Sequence, residues 1–306
     1  MRTFDLDSLE IFRTVVREGG VIRAAARLHR VQSNITTRIK QLEQRLGVAL
    51  FRRQGRSLVL TTAGEALLVH AERLLRMADE AEGALRSDPA RGPFRLGSMD
   101  STAGSRLPKV LARYNRNHPG VVIELQTGTS GALLRKLGEY QLEAAFVGEP
   151  FNAAGLQTRP VFEEELVLVT SKRGPPIERP AELRSGTILA FPMGCSYRKR
   201  LEDWLGTDGV MPGRIMEFGS CTAIIACVAA GTGCAIVPTS VLHALRASSE
   251  VRQHALPDHI RVSRTHLAWN GAPSPALQRL LDLLEDDDSL QSTTALSRAG
   301  AVVPGV

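Results

Sequence analysis

The chain has 306 residues, 43% hydrophobic and 23% charged, which suggests two or three domains with sizeable cores and is ordinary for a globular protein. Its charge is uneven: residues 1–60 hold 12 Lys and Arg against five Asp and Glu, a net of +7, while the other 246 residues hold 26 against 27. A basic end on a neutral body suits contact with a polyanion.

Four cysteines (Cys195, Cys221, Cys227 and Cys234) show neither CxxC spacing nor histidine-rich surroundings. That argues against a disulfide framework or a zinc site and fits a reducing cytoplasm. "MRTFDLDSLEIF" is acidic where a signal peptide would be apolar, and no apolar run approaches membrane-spanning length. The expectation is a cytoplasmic chain with no metal, no cofactor and no membrane partner.

Leu9, Phe12, Val15 and Val16 form the apolar stripe of a first helix, which starts near Asp5 to Ser8 and ends at Gly19-Gly20. "VIRAAARLH" reads as a short second helix with Ala24, Ala25 and Leu28 inward. A turn over His29 to Gln32 leads to a third, with Ser33 as its N-cap. There Ile35, Ile39, Leu42 and Leu46 recur at spacings of four, three and four on one face. The other face carries hydroxyls, amides and cations, the groups that bond base edges and phosphates. Two short helices joined by a tight turn, the second polar outside, make a helix-turn-helix whose second helix fits the major groove. Gln32, Ser33, Asn34, Thr36, Thr37 and Arg38 are the candidates for base and nearby phosphate contacts. "LFRRQGRSLVLTTAG" then has the composition of a wing, with Arg52, Arg53 and Arg56 for the backbone or minor groove.

The stretch "AARLHRVQSNITTRIKQLEQRLGVALFRRQGRSLVLTTAG" resembles the N-terminal signature of LysR-type transcriptional regulators. The residues that carry the likeness are Ala25-Ala26, Leu28, Gln32, Thr36, Ile39, Leu42-Glu43, Leu46-Gly47, Leu50-Phe51-Arg52-Arg53, and Leu60-Thr61 with Gly64. Ser33 stands where the family commonly has Pro, Thr36 where it often has Ser, and Thr37-Arg38 where it often has Arg-Gln. Those departures face DNA, so they bear on the operator sequence and leave the fold intact.

From Thr62 to Ser87, Ala63, Leu67, Ala71, Leu74, Ala78, Ala81 and Leu85 make a near-heptad seam. The resemblance implies that this helix is a dimer linker, so that paired heads read an interrupted palindrome in double-stranded DNA, with dimers commonly assembling into tetramers. Residues 88–93 read as a hinge.

Beyond Phe94, short β-branched runs ("FRLGSM", "VVIELQT", "LEAAFVG", "ELVLVTS", "GTILAFP", "CAIVP") alternate with helical stretches. Such alternation implies parallel sheets covered by helices. The expected fold class is therefore α+β multidomain: a winged helix-turn-helix (residues 1–61), a linker helix (62–87), and an α/β effector domain (94–290). The resemblance implies that this last part is two-lobed and periplasmic-binding-protein-like, with lobe I over 94–163 and 266–290 and lobe II over 164–265. The tail, 291–306, has too little apolar periodicity to pack and is expected to be disordered.

In such sheets ligands sit at the carboxyl ends of strands, against helix N-termini. That rule selects Ser98, Asp100, Ser101, Thr102, Thr129, Ser130, Gly148, Cys195, Ser196, Arg198, Cys221 and Thr222. Hydroxyl-rich helix starts, with Arg198 for a bidentate contact, point to a small anionic effector. An alternative makes Cys195 and Cys221 redox-sensing thiols, activated by helix N-termini and Arg198. A remoter one makes Cys195 an enzyme nucleophile, but the chain has no Walker loop, GxGxxG, HExxH or GxSxG, so it is not read as an enzyme.

Overall fold

The structure, a computed structural model, describes residues 5–55, 57–84, 91–183 and 186–286. Arg56, the last residues of the expected linker helix (85–87), half of the expected hinge (88–90) and the expected tail lie outside them. The chain divides into two compact units near residue 90.

The first unit is helical, with a small ribbon. Helix α1 (Leu6–Arg17) is capped by Asp5, whose Oδ1 accepts from Ser8 N at 2.7 Å. Helices α2 (Val21–Arg27) and α3 (Gln32–Leu46) follow, then the antiparallel strands β1 (Phe51–Gln54) and β2 (Ser57–Leu60), then α4 (Thr62–Ala84). Leu9, Phe12, Ile35, Leu42 and Ala71 are almost wholly buried in one cluster, and burying each of the larger side chains contributes on the order of 2 kcal/mol. Ala24, also fully buried, lets the neighbouring helices pass closely. The expected Ser33 cap is not formed: α3 begins at Gln32 behind Val31, without a side-chain cap, and α2 ends at Arg27 rather than His29.

Two family-pattern residues have clear mechanical reasons. Glu43 Oε1 accepts from Leu50 N (2.7 Å) and Phe51 N (3.2 Å), which pins the ribbon to α3. Gly64 sits where a Cβ would stand 2.2 Å from Leu50 O, so only glycine lets α4 start beside the ribbon.

Helix α4 departs from the expected seam. Ala71 and Leu75 are buried within the unit, and Glu72, only 3% exposed, pairs with Arg17 at 2.8 Å. Leu74 of the seam and the neighbouring Met77 face solvent. The expected seam is thus covered in part within the unit, at Ala71, and open at Leu74.

The second unit holds β3 (Gly92–Ser98), α5 (Asp100–Ser105), α6 (Leu107–Asn117), β4 (Val121–Thr127), α7 (Ser130–Gly138), β5 (Ala144–Gly148) and β6 (Gln157–Ser171). After a 3-10 turn come β7 (Thr187–Ala190), α8 (Ser196–Gly206), β8 (Arg214–Glu217), α9 (Cys221–Ala229), β9 (Ala235–Pro238) and α10 (Thr239–Ala244). The last elements are β10 (Val251–His254), α11 (Asp258–Arg261), β11 (Val262–Trp269) and α12 (Pro275–Glu285). Gly92 and Pro93, expected in a hinge, already belong to β3.

Two lobes result. In the first, β4, β3 and β5 are parallel, and β11 and β6 extend the sheet antiparallel. In the second, β6 continues between β10 and β9, and the parallel pair β7–β8 joins through a bridge from Ile188 to Cys234. Strand β6 thus changes partners partway: Gln157 to Glu165 face β11, and Leu166 to Val169 face β9. Each lobe has apolar clusters of its own, around Phe94, Phe146 and Leu280 in the first and Leu168, Trp204 and Ile236 in the second. The strand ends of one lobe meet the helix starts of the other along a crevice.

Candidate nucleic-acid interface and inter-lobe crevice

On α3 the side opposite Ile35, Ile39 and Leu42 is open. Gln32, Ser33, Asn34 and Thr37 are exposed, and Thr36 is half-buried, its hydroxyl donating to Gln32 O at 3.0 Å. Arg38 is also half-buried, and its guanidinium bonds the carboxylate of Asp7 on α1. Arg30, in the turn before α3, donates to both oxygens of the same carboxylate, at 2.7 and 3.2 Å. These two arginines hold the Asp7 carboxyl below the usual carboxylate range. Arg52 and Arg53 are both exposed on β1, opposite Val59 and Leu58. As adjacent strand residues they project from opposite faces of the ribbon. Sequence reasoning missed Asp7 and Arg30, because their contact with Arg38 is tertiary and has no local spacing.

The crevice brings together Met99, Asp100, Ser101, Gly128, Thr129, Phe191, Cys195 and Tyr197 around a space of about 10 Å³, close to the room of a single water. It is shut by direct contacts. Cys221 N donates to Asp100 Oδ2 at 2.8 Å, Gly131 N to Gly194 O at 3.1 Å, and Ser101 Oγ to Tyr197 Oη at 3.3 Å. A Cβ on Gly148 would stand 2.7 Å from Ser196 Oγ, so the lobes touch there. Asp100 and Ser101 also line a roomier cavity of about 300 Å³, with Cys221 and Thr222 on α9 and Val241 and Leu245 beyond.

Several expected contacts are used internally. Ser98 is fully buried and donates to Met99 O at 2.9 Å. Ser130 accepts from Gly148 N at 3.1 Å, and Thr129 caps α7 by accepting from Ala132 N at 3.3 Å. Thr102 is buried, with no hydrogen-bond partner for its hydroxyl among the described residues. Arg198 does not serve the crevice: its guanidinium bonds Glu202 Oε1 at 2.8 Å and the Glu217 carboxylate. Neither partner was read from the sequence, though Glu202 lies one helical turn on.

The thiols are also unlike the sequence expectation. Burial pushes the Cys195 thiol up, despite the backbone N–H groups and the arginine near it. Cys221 is raised by burial and then by the adjacent Asp100 carboxylate, and burial takes Cys234 up to about 11. Raised thiols are poorer nucleophiles, the opposite of the activation that helix ends and Arg198 lead one to expect. His254 accepts from Ile177 N at 2.9 Å and lies 2.8 Å from Thr170 Oγ1. Among the described residues no cluster suits a metal ion, and no helix is long and apolar enough to cross a membrane.

A wider cavity of about 490 Å³ lies further along α8, beside Glu149, Arg200 and His266. Arg200 is spent there on the carbonyls of Glu149, His259 and Ile260, at 3.1 to 3.3 Å.

A winged helix-turn-helix and a two-lobed α/β domain in one chain define a DNA-binding regulator with a substrate-binding domain. Residues 6–65 match the bacterial regulatory helix-turn-helix proteins of the lysR family, and residues 87–289 match the LysR substrate binding domain. The chain belongs to the LysR family of transcriptional regulators. It is 41% identical over 259 residues to the HTH-type transcriptional regulator YusT of Bacillus subtilis, covering 84% of this chain and 86% of that one. To GltR of the same organism it is 38% identical over 255 residues, 83% and 86% of the two chains. Among solved structures, a full-length point variant of OxyR from Pseudomonas aeruginosa superposes with a TM-score of 0.75 at 22% identity, covering 95% and 97%. CbnR complexed with its target DNA gives 0.64 at 24% identity, covering 92% and 99%. At those identities the two structures establish the shared fold.

Proposed function

We propose that the protein binds an interrupted palindrome in double-stranded DNA as a homodimer or higher homo-oligomer, and that a small effector held between its lobes controls that binding without enzymatic turnover. The observation that carries the reading is the open polar face of α3, fixed to an arginine-bearing ribbon by Glu43. Gln32, Ser33, Asn34, Thr36, Thr37 and Arg38 supply the base-edge and adjacent phosphate groups, and Arg52 and Arg53 the backbone contacts. The exposed Leu74 and Met77 on α4 suit a partner helix. A dimer would set two recognition helices on half-sites a whole number of helical turns apart. CbnR is a relative in fold whose complex with target DNA has been solved. The effector acts by population shift, favouring one arrangement of the lobes over another.

Fluorescence anisotropy tests the reading, with DNA from just upstream of the protein's own gene and a scrambled duplex across a salt series. The expected result is tight, salt-sensitive binding that prefers the native duplex. Equal affinity for both duplexes at every salt concentration would overturn the sequence-reading part, and no binding at low salt would overturn the whole.

A further inference from the structure

The effector expected from sequence is an anion, for two reasons: Arg198 near the crevice, and helix starts with unoccupied backbone N–H groups. The first fails in the structure, and the second fails at α9. Arg198 is turned away into Glu202 and Glu217, and Arg106, the other arginine of this region, is committed to Glu164 at 2.7 Å. The start of α9 is already occupied by a carboxylate of the chain, because Cys221 N donates to Asp100 Oδ2 at 2.8 Å. An anion entering here would meet Asp100 instead of a cation.

Of the described residues lining the crevice and the 300 Å³ cavity beside it, Asp100 alone carries a formal charge, and it lines both. No cation among the described residues forms an ion pair with it. The aromatic rings of Phe191 and Tyr197 stand on the crevice side, with Met99. Apolar groups of Ala103, Val241, Ala244 and Leu245 stand on the cavity side. A carboxylate without a protein counter-ion, next to aromatic rings and an apolar chamber, is the chemistry that takes an ammonium group on an organic body. A half-buried carboxylate with no counter-ion attracts a ligand cation and repels a second anion.

Resting on the reading of the lobes as an effector site, we infer that the effector is an organic amine: its ammonium group pairs with Asp100, and its body fills the cavity between α5, α9 and α10. Binding replaces the bond from Cys221 N to Asp100, so the ligand competes with the contact that shuts the crevice. That substitution is how occupancy reaches the lobe arrangement.

Differential scanning fluorimetry of the full-length protein tests this with probes matched in body and different in charge. Phenethylamine, phenylethanol and phenylpropanoate form one set, and putrescine, butanediol and succinate another. The expected result is a rise in melting temperature of about 2 °C or more with at least one amine, while its matched alcohol and carboxylate leave the protein unmoved. Asp100→Asn, which keeps an oxygen for Cys221 N, removes that rise, and its own probe-free melting curve reports whether it has folded. Should that variant fail to fold, Phe191→Leu replaces it and is expected to shrink the rise. A rise with the carboxylates alone overturns the amine and leaves the effector site standing, as does an amine effect that survives the Asp100 or Phe191 change. Silence from every probe overturns both the amine and the effector site.

Discussion

The head and the crevice hold their polar groups in opposite states. On α3, Gln32, Ser33, Asn34 and Thr37 stand in solvent, and Arg52 and Arg53 stand exposed on the ribbon. In the crevice the polar groups are bonded to one another, Asp100 to the backbone of α9 and Ser101 to Tyr197. An open cationic surface attracts its partner from a distance and loses affinity with salt. A shut crevice gives up internal hydrogen bonds before it gains any, so its ligand works against a conformational equilibrium. Even in the head the distinction recurs on a small scale, because Asp7 already occupies Arg30 and Arg38.

The strongest way to break the comparison is to unfold one side of it. Gly64→Ala forces a Cβ against Leu50 O and should destabilise the head by about 2–3 kcal/mol. In urea unfolding followed by circular dichroism, the head's transition should move to lower urea while that of the lobed unit stays in place. Next in size is Arg53→Ala, which should weaken binding to every duplex alike, by about tenfold, and reduce the salt slope by about 1. Arg38→Ala should instead narrow the gap between native and scrambled duplexes. Equal loss on both duplexes in both variants would erase the division between base and backbone contacts.

Asp7→Asn sharpens the comparison from the other direction. It frees Arg30 and Arg38 for phosphates, so binding to scrambled DNA should tighten by roughly threefold, with a steeper salt slope; anisotropy against both duplexes would read it. The smallest effect belongs to pH. Burial, then Arg252, holds His254 below its ordinary value, near 6.5, and the bond from Ile177 N keeps Nδ1 unprotonated. A folded value below the unfolded one means stability is complete above about pH 6.5 and falls as the solution is acidified. Melting temperatures from pH 7.5 to 5.5 should decline, and His254→Asn should flatten that decline while lowering the curve as a whole.

What the sequence discloses here is what lies within one element. The buried stripe of α3 follows from Ile35, Ile39 and Leu42 alone, and the parallel core strands announce themselves as β-branched runs. Asp5 as a cap is equally local. The largest misreadings of the site come from partners distant in the chain. Asp100 meets Cys221 across 121 positions and Arg38 meets Asp7 across 31. Glu217, which helps draw Arg198 away, lies 19 residues on. Helix-end arguments promise activated thiols at Cys195 and Cys221, and burial reverses the sign because desolvation of a thiolate outweighs a few N–H dipoles. Strands β8, β10 and β11 escaped notice because they are short or polar on one side, as in "VSRTHLAW".

Strand β6 passes without interruption from the first lobe into the second, and β11 runs back beside it. Two continuous ribbons of backbone resist stretching and shear, since either would slide the register of bonded strands, but they yield to torsion as leaf springs do. Relative motion of the lobes is therefore channelled into a twist about that pair. A molecule that wedges the crevice open does not push the halves apart so much as turn one against the other, and its message to the rest of the chain is an angle.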